Sequence, residues 1–168
     1  LESARTRMEC VAVVHEVSAG IAAEYFNVAN RGKGKRGFAM VTAGPGITNL
    51  STAIGGAWLE SRELLVVGGQ ARTDFLSHPE VRQIGHQQID GRSIVEPMSK
   101  LSMTVTEPLG KQELRNVTDF SISGRKGPVF LEICLDITAM EVNKDSLNAA
   151  SEHIKRVEPK IVTKFSPD

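Results

Sequence analysis

The sequence lacks both a charge excess and a long apolar run. Its 20 Lys and Arg residues balance its 20 Asp and Glu residues, so the formal net charge is zero. Proteins that bind nucleic acids or anionic membranes typically carry a strong basic excess. No apolar run approaches the ~20 residues that a membrane-spanning helix requires. We therefore expect neither a nucleic-acid partner nor a membrane partner.

Cysteine is scarce, and a secretory leader is not recognisable. Cys10 and Cys134 both lie in apolar runs, which favours two reduced, buried thiols over a disulfide framework. The first residues lack the charged-then-apolar layout of a signal peptide, so a cytoplasmic protein is expected. Because the chain does not begin with Met, a fragment or a processed piece is also expected.

Several catalytic signatures are missing. The four histidines, at positions 15, 78, 86 and 153, show no metal-ligand spacing, so no metal site is predicted. The sequence has no Gly-x-Ser-x-Gly elbow, which leaves a hydrolase triad without support. It also has neither the Lys-Ser/Thr of a P-loop nor the three-glycine dinucleotide fingerprint, and this disfavours an unrelated nucleotide-binding protein.

What the sequence does contain is an alternation of short apolar runs and amphipathic stretches. With 40% hydrophobic and 24% charged residues, the composition is that of a soluble globular protein. The predicted strands are Cys10–Val14, Phe38–Thr42, Leu64–Val67, Leu101–Val105 and Val129–Leu135. Helical spacing of apolar residues predicts helices over Val17–Val28, Ile47–Trp58 and Leu109–Phe120.

Strands that are apolar on both faces and separated by helices indicate a parallel sheet covered on both sides. The predicted fold is therefore α/β, a doubly wound parallel sheet with helices on both faces. We assign this domain to residues 1–142. The apolar pattern fades afterwards, and residues 143–168 are predicted to be a linker or tail.

Polar or glycine-rich segments follow three of the predicted strands. These are Val14–Glu16, Thr42–Gly46 and Gly68–Gln70. In open parallel sheets, ligands bind where loops leave the carboxyl ends of the strands. The candidate site is therefore at this edge.

Glu16 allows two interpretations from the residues alone. It is either an acid in the first turn of a helix, favoured by the helix dipole, or a carboxylate in an apolar setting whose raised pKa lets it share a proton with a ligand. The Gly44-Pro45-Gly46 turn allows a phosphate loop or a structural turn, and the structural turn is favoured. Asn49 is expected to satisfy backbone groups near that turn.

Six short motifs follow one another in order. They are His15-Glu16-x-x-Ala19-Gly20, Thr42-x-Gly44-Pro45-Gly46-x-x-Asn49, Leu64-Leu65-Val66-Val67-Gly68-Gly69-Gln70, Gln87-x-x-Asp90, Pro97-x-x-Lys100 and Gly124-Arg125-x-Gly127-Pro128-Val129-x-Leu131-Glu132-Ile133. Together they resemble the N-terminal, pyrimidine-binding domain of thiamine-diphosphate-dependent enzymes, with the acetolactate synthase group as the nearest match. Benzaldehyde lyase and 2-hydroxyacyl-CoA lyase are relatives. The resemblance covers Val11 to Ala139.

The resemblance implies a six-stranded parallel domain, thiamine diphosphate as cofactor and a 2-oxo acid as substrate. It implies that Glu16 hydrogen-bonds a ring nitrogen of the aminopyrimidine and thereby helps to remove the proton from thiazolium C2. Glu16 and Gln87 are the implied catalytic residues. The implied cofactor contacts are Glu16, Thr42, Gly44, Pro45, Gly46 and Asn49. His86 and Gln87 are the implied substrate contacts.

The sequence departs from the family at several points. His86 and Gln88 replace the usual aromatic residue and Glu, and the Gly32–Gly37 loop carries extra basic residues. A strand, a helix and a glycine-rich loop that the family places upstream of Leu1 are not in the sequence. The Gly-Asp-Gly…Asn motif that binds Mg²⁺ and the diphosphate is also not in the sequence. The resemblance therefore implies half of a cofactor site, inactive alone and completed by a diphosphate-binding domain that supplies the Mg²⁺.

Because the family's site forms between subunits, a homodimer or homotetramer is expected. The expected interface contains the helix that begins at Glu16 and the Gly44–Gly46 turn, with Ile21 and Ile47 on its surface. The alternative function is that of a degenerate or truncated module that serves as a non-catalytic binding or scaffold domain.

Overall fold

The computed structural model describes residues 8–77 and 80–141. In chain order the elements are α1 (Glu16–Ala29), β1 (Phe38–Val41), α2 (Pro45–Leu59), β2 (Leu64–Gln70), α3 (Gly91–Val95), β3 (Leu101–Val105), α4 (Lys111–Phe120) and β4 (Pro128–Cys134). Short 3-10 turns lie at Thr73–Phe75, Glu96–Met98 and Ile137–Ala139. None of the helices in the described residues is long and apolar enough to cross a membrane.

The four strands form one parallel sheet in the order β1-β2-β4-β3. The central pair is β2 and β4, aligned from Leu64 opposite Pro128 to Gln70 opposite Cys134. Both central strands are rich in branched apolar residues, as expected of strands covered on both faces. All four carboxyl ends point to the same edge of the sheet.

Helices cover both faces, which confirms the predicted α/β fold class. On one face α1, α2 and α3 pack over a core that includes Leu50, Ile54 and Phe130. On the other face α4 places Val117 against Val129 and Leu131. Ile47 belongs to the first core and is 0% exposed, so its predicted place on an interface surface is wrong.

Local chemistry sets the starts of α1 and α2. The Nδ1 atom of His15 accepts a hydrogen bond from the backbone N–H of Val17 at 3.2 Å and caps α1. Pro45 takes the first position of α2, where its fixed φ suits a helix and its missing N–H costs nothing. The predicted helices in these two regions are confirmed.

The apolar run Cys10–Val14 does not form the predicted strand. It is irregular backbone and pairs with no strand among the described residues, and the Val11 and Val14 side chains are 76% and 106% exposed. Strand propensity reflects fit to a pleated, half-buried surface, and the residues that the structure describes place no such surface beside this run. Cys10 is consequently exposed, contrary to prediction, whereas Cys134 is buried as predicted.

Three further details differ from the expectations. The strand predicted over Leu64–Val67 continues to Gln70, because Gly68 and Gly69 pair with Glu132 and Ile133 of β4. Helix α3 was not predicted; the Asp90 side chain caps it by accepting from the Ser93 N–H at 2.9 Å. The described residues form four strands, whereas the resemblance implied six.

The predicted linker or tail, 143–168, lies outside the described residues, and so does His78. The boundary at residue 142 therefore stays a prediction.

Candidate functional site

Glu16 and Asn49 meet at the carboxyl edge of the sheet. Glu16 begins α1, and Asn49 lies in the first turns of α2. The Asn49 Nδ2 group donates a hydrogen bond to Glu16 Oε2 at 3.0 Å. The sequence predicted that Asn49 would satisfy backbone groups near the turn. Its side chain instead contacts the Glu16 carboxylate. Among the described residues, Asn49 is the one side chain that hydrogen-bonds the Glu16 carboxylate.

The hydrogen bond from Asn49 lowers the pKa of Glu16 below its ordinary value of 4.5. The Glu16 backbone N–H acts in the same direction, since both donors favour the charged carboxylate. Glu16 is only half-buried, so little desolvation opposes them. Of the two interpretations that the sequence allowed for Glu16, its setting in this chain is that of a first-turn helix acid.

Gly44 brings a distant loop to the site. Its φ of 63° lies in the left-handed region that favours glycine. A Cβ atom at this position would come within 2.5 Å of the Gln87 carbonyl oxygen. Gln87 itself has a φ of 56°. The turn before α2 therefore packs directly against the backbone of the loop after β2. A side chain at position 44 would push the two segments apart.

Thr42, Pro45 and Gly46 complete the turn. A Cβ atom at Gly46 would lie 3.0 Å from Thr42 Cγ2, so glycine allows the end of β1 to fold closely onto the start of α2. The Gly44 carbonyl accepts from the backbone N–H groups of Ile47 and Thr48 at 3.0 and 3.1 Å. The structural role predicted for this turn is consistent with these contacts.

His86 and Gln87 are both exposed, as the polar loop sequence predicted. The neighbouring Gln88 orders the loop: its Oε1 accepts from the N–H groups of Ile84 and Gly85, and its Nε2 donates to Ser77 Oγ at 2.8 Å. Gln88, one of the positions at which the sequence departs from the pattern that the resemblance implies, thus has a structural role in this loop.

A buried carboxylate beneath the site was missed from the sequence. Glu132 of β4 is 1% exposed. Its Oε1 accepts from Gln70 Nε2 at 2.8 Å and from the Gly91 N–H at 3.2 Å, and its Oε2 accepts from Thr104 Oγ1 at 3.1 Å. Burial raises the pKa of Glu132, opposed by these hydrogen bonds. The available signal was a single charge inside a seven-residue apolar strand.

Glu132 ties the site's loop to the sheet. Its partners belong to β2, to β3 and to the first residue of α3. Because the loop that carries Gln87 runs from β2 to α3, the carboxylate anchors both ends of that loop.

The structure thus brings Glu16 to Asn49 and Gln87 to Gly44, while the His86 side chain makes no hydrogen bond or ion pair with these residues in the described chain. Within residues 8–77 and 80–141, no three His, Cys, Asp or Glu side chains converge on a metal-sized site. The edge offers a half-buried carboxylate beside a glycine turn. Such an arrangement can accept a hydrogen bond from a polar heterocycle or hold a proton beside it.

Comparison with known proteins agrees with the resemblance that the sequence motifs indicated. The chain is 33% identical over 139 residues to the acetolactate synthase large subunit of Corynebacterium glutamicum, covering 82% of this chain and 21% of that protein. It is 36% identical over 124 residues to 2-hydroxyacyl-CoA lyase 2 of Mus musculus, covering 73% of this chain and 18% of that protein. Acetolactate synthase of Arthrospira platensis is 33% identical over 135 residues, with 78% and 21% covered. The chain therefore spans about a fifth of the length of these relatives.

Residues 1–94, more than half of the chain, match the family described as thiamine pyrophosphate enzyme, N-terminal TPP binding domain. This match includes β1, β2, the Gly44–Gly46 turn and every site residue named from the sequence. The resemblance inferred from the ordered motifs is confirmed, and the chain belongs to the family of thiamine pyrophosphate enzymes, as an N-terminal TPP binding domain.

Proposed function

We propose that this chain is the pyrimidine-binding module of a thiamine-diphosphate-dependent decarboxylase or carboligase of the acetolactate synthase type, acting on a 2-oxo acid. The observation that carries the proposal is the Glu16 carboxylate at the carboxyl edge of the sheet, oriented by Asn49 at 3.0 Å. Family membership and relatives that are named as acetolactate synthases or lyases support it.

The residues at this edge fit an aminopyrimidine. Asn49 fixes Oε2 of Glu16, and the carboxylate would accept from, or hold a proton beside, a ring nitrogen. The glycines at positions 44 and 46 allow the turn to pack closely against Gln87 and Thr42 beside this carboxylate. When bound, thiamine diphosphate supplies the carbon nucleophile that attacks the 2-oxo acid.

The low pKa of Glu16 in the single chain is compatible with this role. Its half-exposed carboxylate lies next to water, and covering it with a ring and a second domain would remove that water. Desolvation disfavours the charged form and raises the pKa of a carboxyl group. Glu16 then approaches the range in which a proton can be shared with a ring nitrogen.

Further roles complete the proposal. His86 and Gln87, both exposed at this edge, face the substrate, and Thr42 and Pro45 line the cofactor turn. A diphosphate-binding domain of the same or a neighbouring subunit contributes Mg²⁺ and the diphosphate contacts. The isolated chain is then inactive and binds thiamine diphosphate weakly, because a diphosphate needs a cation or several donors.

Glu16→Gln, placed in the protein assembled with its diphosphate-binding domain, tests the proposal. Exchange of the cofactor C2 proton, followed by proton NMR, should slow by about 10²-fold or more, the range for removing a general acid or base. Glu60→Gln, an exposed carboxylate at the end of α2, is the matched control and should keep normal exchange. Carbon dioxide release from pyruvate, as a test 2-oxo acid, should fall in parallel.

Near-normal exchange in the Glu16→Gln protein would contradict the role and leave Glu16 as a helix-start acid. That outcome would favour the alternative of a non-catalytic binding or scaffold module.

A further inference from the structure

A cavity of about 330 Å³ lies at the opposite edge of the sheet from the Glu16 site. Its lining includes the loop between α1 and β1, the residue before β2 and the segment before β4, all at the amino ends of the strands. We call it the basic cavity and define it by Asn27, Arg31, Lys35, Arg36, Glu63 and Lys126. Its volume falls in the range of ~300–1,000 Å³ typical of small-molecule sites.

The floor of the basic cavity is held together by the buried side chain of Asn27. Asn27 is 4% exposed, and its Nδ2 donates to the carbonyl oxygens of Gly37 at 3.1 Å and Glu63 at 3.3 Å. Its Oδ1 accepts from the Gly37 N–H at 2.7 Å. One buried amide therefore joins α1 to the residues just before β1 and β2.

The rim carries more positive than negative charge. Lys126 Nζ lies 2.7 Å from Glu63 Oε2, and Arg36 Nη1 lies 3.1 Å from Asp119 Oδ1. Arg31 and Lys35 make no ion pair with any described residue. These two acids neutralise two of the four cations, so two positive charges face the cavity without compensation.

The pair beneath the rim is not fully satisfied. Glu63 is 9% exposed, and its Oε2 has no hydrogen bond of normal geometry despite the nearby ammonium group. The Lys126 ammonium is thus held near the cavity by charge attraction and is not committed to a directed hydrogen bond with Glu63.

The basic residues are not all explained by the end of α1. Cations near a helix C-terminus stabilise it through the exposed carbonyl groups. Lys33 has that role, because its Nζ donates to the Ala29 carbonyl at 3.0 Å, and the Asn30 side chain donates to the Phe26 carbonyl at 2.9 Å. Arg31 and Lys35 make no such contact among the described residues, so their charges remain available.

We propose that the basic cavity binds a small phosphate-bearing ligand. A guanidinium fork and ammonium groups are the side chains that recognise phosphate oxygens. A concave site with two surplus charges suits one small anion, whereas a nucleic-acid surface needs an extended basic stripe. The inference does not depend on the proposed function, since none of these residues belongs to the Glu16 site.

Titration calorimetry of the full 168-residue chain with inorganic pyrophosphate, at low salt and without thiamine diphosphate, tests this. We expect one site, with affinity reduced about tenfold or more in the double variant Arg31→Gln/Lys35→Gln, because charge-assisted bonds to phosphate are lost. The matched control is Lys111→Gln/Arg115→Gln, which removes two exposed cations from α4 and should bind as the parent does. Sulfate at equal ionic strength should bind more weakly.

Undetectable pyrophosphate binding, or equal weakening in both double variants, would overturn the proposal. Two further probes separate other sources of phosphate: a single-stranded RNA 12-mer and vesicles that contain phosphatidic acid. The RNA or the vesicles could bind tightly, resist displacement by pyrophosphate and lose binding in the Arg31→Gln/Lys35→Gln variant. That result would contradict a small ligand and indicate a macromolecular or membrane partner.

Discussion

The amide of Asn49 holds the carboxylate of Glu16 at 3.0 Å and thereby connects the first turns of two neighbouring helices. Both side chains lie at the one edge where the loops of this sheet converge. The contact stabilises the charged form of the acid, because a carboxylate oxygen accepts a hydrogen bond from an N–H group more strongly than a protonated carboxyl oxygen does.

Asn49→Ala should raise the pKa of Glu16 toward 4.5, since this hydrogen bond is the largest cause of its lowering. In the parent chain the lowered pKa contributes stability that is present above 4.5 and is lost as pH falls through the folded value. Carbon-13 NMR titration of the Glu16 carboxyl group measures the change. Thr52→Ala, an exposed substitution on the same helix, should leave the titration unchanged. An unaltered Glu16 titration in Asn49→Ala would show that the contact does not persist in solution.

Gly44→Ala should destabilise the chain by about 1–3 kcal/mol, the usual cost of a strained backbone conformation. The new methyl group would meet the Gln87 carbonyl at 2.5 Å, and the φ of 63° resists a side chain. Gly56→Ala is the matched control: beyond its chain neighbours and the backbone of its own helix α2, no atom lies within 4 Å of its Cβ position, so it should stabilise by roughly 0.5–1 kcal/mol. Urea unfolding of both variants measures the difference. Equal effects of the two substitutions would contradict the Gly44–Gln87 contact.

Glu132→Gln should change how stability depends on pH. Burial raises the pKa of Glu132 above 4.5, so the folded chain holds this proton more tightly than the unfolded chain. The contribution of this group to the unfolding free energy therefore falls as pH rises from 4.5 through the folded pKa. The Gln variant lacks this decline, so the unfolding free energy of the parent should fall relative to that of the variant as pH rises through that window. Denaturant unfolding at a series of pH values measures the unfolding free energy of both proteins. A difference between them that stays constant from pH 4.5 to neutrality would contradict this prediction.

The two thiols should react at very different rates. Burial, followed by the nearby charges of Asp136 and Glu132, raises the pKa of Cys134 to about 11, whereas Cys10 is exposed. The thiolate is the reactive form, so Ellman's reagent at pH 8 should label one thiol rapidly and the second only after unfolding. Cys10→Ser should remove the fast phase. Two fast thiols in the folded parent would be incompatible with the burial of Cys134.

Self-association at micromolar concentration is expected for the isolated chain. Among the described residues nothing pairs with the outer edge of β1, and on α1 the Ile21, Tyr25 and Phe26 side chains are 43%, 55% and 43% exposed. Open strand edges and clustered apolar side chains favour association. Ile21→Glu should shift the chain toward monomer in light scattering, whereas Leu59→Glu, on a residue 79% exposed at the end of α2, should not. A parent chain that stays monomeric throughout would contradict the expectation.

The fold class and most element positions were predictable from the sequence because the buried strands are short apolar runs bounded by glycine. The Cys10–Val14 run shows the limit of that signal. Its composition is that of a strand, yet a strand also requires a hydrogen-bonding neighbour, and composition does not report whether one is present. For the same reason the sequence predicted the wrong exposure for Cys10.

The candidate site was predictable in position but not in chemistry. Strand ends identified the edge that holds Glu16, whereas its hydrogen bond with Asn49 depends on how α1 and α2 pack. Glu132 was missed because its partners, Gln70 and Thr104, are far from it in sequence and reach it only through the strand order. Contacts of this kind arise from tertiary structure and leave no periodic pattern.

The strand order also constrains how the chain reaches its native state. The central pair of the sheet joins β2 to β4, although α3, β3 and α4 separate them in the sequence. Closing so long a loop costs entropy before the ladder returns any stabilisation. The α1–α2 and β1–β2 contacts bridge much shorter segments, so they can form without that delay. We therefore expect docking of β4 between β2 and β3 to be the slow step of refolding, and a chain emerging from the ribosome cannot complete its sheet until β4 has been synthesised.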